Sequence, residues 1–180
     1  MVYDAGFIGL SPYLQTVTTV FMLLFAVNFN LYYYILMRRI GDVTHNEELR
    51  WFLGIFFAAV LTMTVANIGQ FGSFGESLHH TAFNAASVYS TTGFASVNFD
   101  KWPTISKCIM LLLMFCGGCT GSTAGGIKTS RVAILVKTAF NELRRFAHPK
   151  YVRSLKLDGK VVSEPVVRSV TVYFSVIIGI

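Results

Sequence analysis

Charged side chains are scarce in this sequence. They make up 13% of its 180 residues, against the roughly 25% usual in a soluble domain. That shortage, beside 53% hydrophobic and 14% aromatic residues, excludes an ordinary water-soluble domain and points to an integral membrane protein. Acidic residues are fewest, nine against fifteen Lys and Arg, giving a net charge of +6. A basic balance raises the question of nucleic acid, and the placement of the charges answers it. Three basic residues lie in 38–50 and ten in 128–168, with only Lys101 and Lys107 elsewhere. Clusters flanking apolar runs follow the positive-inside bias, so the partner implied is a lipid bilayer and no nucleic acid. Three cysteines (Cys108, Cys116, Cys119) are too few for a disulfide framework. Cys116 and Cys119 have CxxC spacing, but no second Cys or His pair accompanies them. Small residues in a tight site account for them better than zinc or redox chemistry. The stretch Met1–Tyr13 has no basic n-region and does not read as a secretory signal.

The long apolar runs set the organisation. Residues 13–37 carry no charge. At about 1.5 Å per residue they exceed the roughly 30 Å of hydrocarbon, so one continuous span is expected. It ends at Arg38-Arg39, with Tyr32, Tyr33 and Tyr34 as an interfacial belt. A polar connector follows at 40–50, where Asn46, Glu47 and Glu48 suit a helix start. Residues 51–70 form a second span. The basic flank at 38–50 faces the cytoplasm, so 71–102 is external. Within it, Glu76–Ser90 reads as a helix too short and too polar to cross. A re-entrant pore helix over 75–89 is expected, covered by protein because lipid does not tolerate irregular backbone. Residues 103–116 would make a helix of only about 21 Å. They are followed by Gly117–Gly126, which holds five glycines and no large side chain. From Ile127 to Phe146 a basic helical pattern resumes, so 103–146 is a broken span. His148-Pro149 ends it, 149–164 is a cytoplasmic connector, and Pro165 opens a further apolar run over 166–180.

Two motifs carry the chemistry. Ser90-Thr91-Thr92-Gly93-Phe94 follows the short helix. A cation leaving water needs its hydration replaced, which successive backbone carbonyls can do. Gly93 permits the dihedrals such a segment needs, and the negative end of the preceding helix favours a cation. An ordinary inter-helix turn would use the same residues. The second motif is Gly117-Gly118-Cys119-Thr120-Gly121-Ser122-Thr123-Ala124-Gly125-Gly126. A phosphate-binding P-loop is excluded because Ile127 separates Gly126 from Lys128, and the flank is a membrane-depth apolar run.

Together, STTGFASVNFDKWP and MFCGGCTGSTAGGIKTSR closely resemble the third repeat of the Trk/Ktr superfamily of potassium-uptake proteins, membrane subunit of the TrkH/KtrB type. The resemblance extends to Asn46-EELRWFLGI. It implies an all-α fold of four covalently linked span–pore helix–filter loop–broken span units around one potassium pathway. It makes residues 1–39 the end of the second unit, 51–148 the third and 165–180 the start of the fourth. Asp4-Ala5-Gly6-Phe7 is then a linker after the second filter. Residues 90–94 supply a quarter of the selectivity filter, with potassium held by the carbonyls of Thr91, Thr92 and Gly93. Residues 117–126 lie beneath as a gate. The resemblance further implies location in the cell inner membrane, a homodimer, and a cytosolic nucleotide-binding regulatory subunit. No bound cofactor is implied. Potassium is the substrate, and sodium or a proton is a candidate coupling ion.

Other residues carry two readings each. His79 and His80 suit packing or polar contact at the outer mouth better than a metal site. Asp100 either draws cations to the entrance or caps the helix near Pro103. Asn28 and Asn30 are candidates to bond neighbouring helices. Lys128 and Arg131 either touch the glycine loop or reach the inner interface. The rival functions are a membrane-embedded enzyme using the glycine loop as an anion site and a purely structural membrane subunit. The spans contain no carboxylate pair or nucleophile–base pair to support the enzyme.

Overall fold

The computed structural model describes residues 7–147, 156–157 and 160–179. Asp4, Ala5 and Gly6 of the expected linker, and residues 149–155 and 158–159 of the expected connector, lie outside them. Among the described residues, ten helices and strands and one 3₁₀ turn follow in order. Eight are helices: α1 (Pro12–Ala26), α2 (Phe29–Leu36), α3 (Ile40–Thr44), α4 (Glu47–Phe71), α5 (Phe74–Tyr89), α6 (Thr104–Phe115), α7 (Thr129–Ala147) and α8 (Glu164–Gly179). The other two, β1 (Lys156–Leu157) and β2 (Lys160–Val161), form a two-residue antiparallel pair. A single 3₁₀ turn, Phe99–Lys101, precedes α6.

Helix α4 shows how local sequence sets an element. Asn46 accepts a hydrogen bond from the Leu49 amide at 2.8 Å, capping the helix, and Glu47 and Glu48 favour its positive end. Gly72 stops it at φ 70°, returning its amide to the Ile68 carbonyl at 3.0 Å. Among the described residues α4 is the one helix long and apolar enough to cross a membrane alone. Ser73 then caps α5 by accepting from the Glu76 amide at 3.2 Å.

Helix α5 is the centre of the core, although it is rich in polar residues. Ser77, Thr81, Asn84 and Ser87 are buried on it beside Phe83, Ala85, Ala86 and Tyr89. Small side chains let backbones approach, and hydroxyls bond across: Ser77 Oγ donates to the Thr64 carbonyl at 2.9 Å. Phe52 of α4 stacks on Tyr89 with ring centroids 4.7 Å apart. A helix of 16 residues is about 24 Å long, so α5 stops short of a crossing.

The first apolar run departs from expectation. It is not one continuous span: α1 and α2 meet at a 93° bend. Asn28 makes the corner by accepting from the Asn30 amide at 2.9 Å, starting a new helix rather than bonding a neighbouring one. A broken helix leaves carbonyls without intrahelical partners at membrane depth. The partners come from a segment about ninety residues later in the chain, described below.

Asp100 is also corrected in part. It sits in the 3₁₀ turn, and α6 begins after Pro103 without a side-chain cap, so Asp100 does not cap it. The histidines make polar and stacking contacts. His79 Nε2 lies 2.7 Å from Gln15 Oε1, His80 Nδ1 lies 3.1 Å from Ser96 Oγ, and His80 stacks on Phe71.

Candidate functional site

The segment 90–94 leaves the C-terminus of α5 by a turn that α5 itself dictates. The Ser90 amide donates to Ala86 (2.9 Å), Thr91 to Val88 (3.0 Å), and Thr92 and Gly93 both to the Ser87 carbonyl (2.9 and 3.3 Å). In a trans peptide the N–H and the preceding C=O point in opposite directions. With the amides of 91–93 turned toward α5, the carbonyls of Ser90, Thr91 and Thr92 point away from it. The chain achieves this with Thr91 at φ 57° and Gly93 at φ 84°. A β-branched residue at positive φ is a true outlier, and such strain concentrates at functional sites. Thr91 is held there by its amide bond to Val88 and by its hydroxyl, which accepts from the Gly125 amide at 2.8 Å.

That last contact joins the candidate filter to the glycine loop. The loop closes at its base. Gly117 donates to the Ile127 carbonyl at 2.6 Å, Ile127 to Phe115 at 3.1 Å, and Thr129 to Gly118 at 3.1 Å. Only glycine fits at the closure, because a Cβ on Gly117 would lie 1.9 Å from the Gly125 carbonyl oxygen. From this base the loop reaches three neighbours. It meets the α1–α2 corner: Cys119 donates to the Ala26 carbonyl (2.9 Å), Thr123 to Phe25 (3.4 Å), and Phe29 back to Gly121 (3.2 Å). It meets α4, where the Thr120 amide donates to Glu48 Oε1 at 2.6 Å. It meets the filter at Thr91. Lys128 Nζ folds back onto the Ala124 carbonyl, a contact with the loop, while Arg131 lies 4.5 Å over the Tyr173 ring of α8. A cavity of about 270 Å³ brings the two motifs together, lined by Thr18, Phe21, Met22 and Phe25 of α1, Ser90 and Thr92 of the filter segment, and Thr123 of the loop.

Residues 9–180 match the model of the family TrkH, a cation transport protein. The chain belongs to the TrkH family. It is 37% identical over 157 residues to the Trk system potassium uptake protein TrkG of Escherichia coli K12, covering 86% of this chain and 32% of that protein. It is 31% identical over 170 residues to the Trk system potassium uptake protein TrkH of the same strain, covering 92% and 35%. The crystal structure of the potassium transporter TrkH from Vibrio parahaemolyticus matches with a TM-score of 0.82 at 30% identity, covering 92% of this chain and 36% of that one. The chain thus spans about a third of the length of these relatives. The helical membrane fold expected from the sequence is the fold of the TrkH family.

Three features of this TrkH-family segment escaped sequence reasoning. Glu48 read as a helix opener, yet it is 5% exposed and bonded to a residue 72 positions away. Gln15, the one side-chain amide in the α1 stretch of the first apolar run, is buried and bridges the Phe7 carbonyl (2.8 Å) and His79. Its isolation in that run was a usable signal. The Ala26 and Phe25 carbonyls, which receive the glycine loop, left no trace in the sequence because every residue has a carbonyl.

Proposed function

We propose that this chain forms part of the pore of a potassium-uptake subunit in the cell inner membrane, with 90–94 as one filter segment and 117–126 as an intramembrane gate. The observation that carries the reading is the pairing of outward-turned carbonyls at Ser90, Thr91 and Thr92 with a closed glycine loop directly bonded to Thr91. Potassium would exchange hydration water for those carbonyls. The Gly93 carbonyl completes the set named from the sequence. The process breaks no covalent bond. A sodium or proton gradient is a candidate energy source, and the family resemblance supports a homodimer with a cytosolic nucleotide-binding regulatory subunit.

The anion-loop enzyme fares worse. The amides of Gly117, Cys119, Thr120, Ser122, Thr123 and Gly125 all donate to protein acceptors, and Glu48 already places a carboxylate on the loop. Six of the ten loop amides are thus committed and a carboxylate already faces the loop, which works against a phosphate cradle. Growth decides among transport, enzyme and scaffold. A full-length subunit carrying these residues, expressed in a host lacking potassium uptake, is expected to restore growth at low potassium. No rescue despite membrane expression counts against transport.

Orientation follows from the basic flanks. Residues 38–50 and 147–164 face the cytoplasm and 71–102 the exterior. In a cysteine-free background, a membrane-impermeant thiol reagent added outside should label Asn98→Cys and spare Lys156→Cys. The reverse pattern overturns the topology.

A further inference from the structure

We infer that Glu48 is the latch of the glycine loop: its carboxylate, carried on the first turn of α4, holds Thr120 in the blocking position, and motion of that turn releases it. The inference rests on the gate reading above. The loop's other contacts across to its neighbours use backbone or hydroxyl acceptors at 2.8–3.4 Å, whereas Glu48 supplies a carboxylate oxygen at 2.6 Å, the shortest of these contacts.

The carboxylate is placed for release as well as for holding. It is nearly fully buried, yet Thr120 is its one hydrogen-bond donor among the described residues. A carboxylate has room for further hydrogen bonds, so it can exchange the Thr120 amide for water once the two part. If the first turn of α4 moves, the carboxylate recovers water and the Thr120 amide is freed with it. Two arrangements with compensating interactions are what a switch needs. The same turn carries the input. Asn46 caps it, and the adjoining Glu47 Oε2 bonds Lys137 Nζ at 2.7 Å, tying α4 to α7, the helix that leaves the loop. On the proposed topology this turn adjoins the cytoplasmic surface, so a force applied there reaches the loop through two adjacent glutamates.

The test measures potassium flux into vesicles containing the purified full-length subunit, without any regulatory partner. Four variants are compared: Glu48→Ala, Glu48→Gln, deletion of Thr120–Gly125, and the deletion combined with Glu48→Ala. Loss of the Thr120–Glu48 bond is expected to raise basal flux about tenfold in Glu48→Ala. The rise should be smaller in Glu48→Gln, whose amide oxygen still accepts. Once the loop is gone, Glu48→Ala should add nothing. If the deletion raises flux but neither Glu48 variant does, the latch is wrong and the gate reading stands. An equal effect of Glu48→Ala with and without the loop also overturns the latch. If the deletion itself leaves flux unchanged, the gate reading falls and takes the latch with it. Should Glu48→Ala fail to reach the membrane, Glu48→Gln alone and combined with the deletion carries the same comparison.

Discussion

Deleting Thr120–Gly125 from a full-length subunit carrying this segment is expected to raise potassium flux about tenfold or more, and to weaken its dependence on any regulatory partner. Tenfold corresponds to about 1.4 kcal/mol, less than the summed worth of the bonds the deletion removes. Those include the Thr120 amide to Glu48, Thr123 to Phe25, Phe29 to Gly121 and Gly125 to Thr91. The cut leaves the base of the loop in place, since Cys116 and Ile127 remain paired and Thr129 still holds Gly118. The freed Phe25 carbonyl belongs to a residue lining the cavity shared with Ser90 and Thr92, where water can satisfy it. If the loop served only as a packing hinge, the same deletion would give a misfolded, inactive protein. A variant that reaches the membrane intact with unchanged or lower flux rules out the gate.

Gly93→Ser is expected to lower the preference for potassium over sodium by about tenfold at matched membrane expression. The penalty is conformational rather than steric. A Cβ at this position would meet nothing within 4 Å, but the backbone sits at φ 84°. Serine there costs on the order of 1–2 kcal/mol, which the segment can relieve by rotating the peptides on either side. Rotation re-aims the Thr92 carbonyl and releases the Gly93 amide from Ser87, so the cation loses ligands at fixed positions. The neighbouring Thr91 already holds a positive φ, leaving little slack to absorb a second strain. Relative uptake of the two ions measures the effect. Unchanged selectivity with reduced folded protein would make 90–94 an ordinary turn.

Much of the architecture was legible because its causes are local. Asn46 with two glutamates and the length of the apolar run behind them set α4 without reference to the rest of the chain, and the structure adds Gly72 as its stop and Ser73 as the next cap. The glycine-rich interruption after Phe115 was legible for the same reason: no transmembrane helix holds five glycines in ten positions without cause. The break at Asn28 was not. An asparagine in an apolar run can stay helical or turn a corner. The corner wins here because residues 119–123 arrive to pair with Phe25, Ala26 and Phe29.

The sequence by itself determined the helical membrane class, the positions of the short helix and the glycine loop, and the two motifs of the site. Apolar length, caps and glycine content act over a few residues, so they can be read in a single pass. Tertiary structure alone decided that α1 and α2 bend apart, that Glu48 faces the loop rather than water, and that Gly125 bonds Thr91. Each of these is a backbone or carboxylate group finding its partner from a distant stretch of chain. In an interior without water, such partners are fixed by which elements pack together.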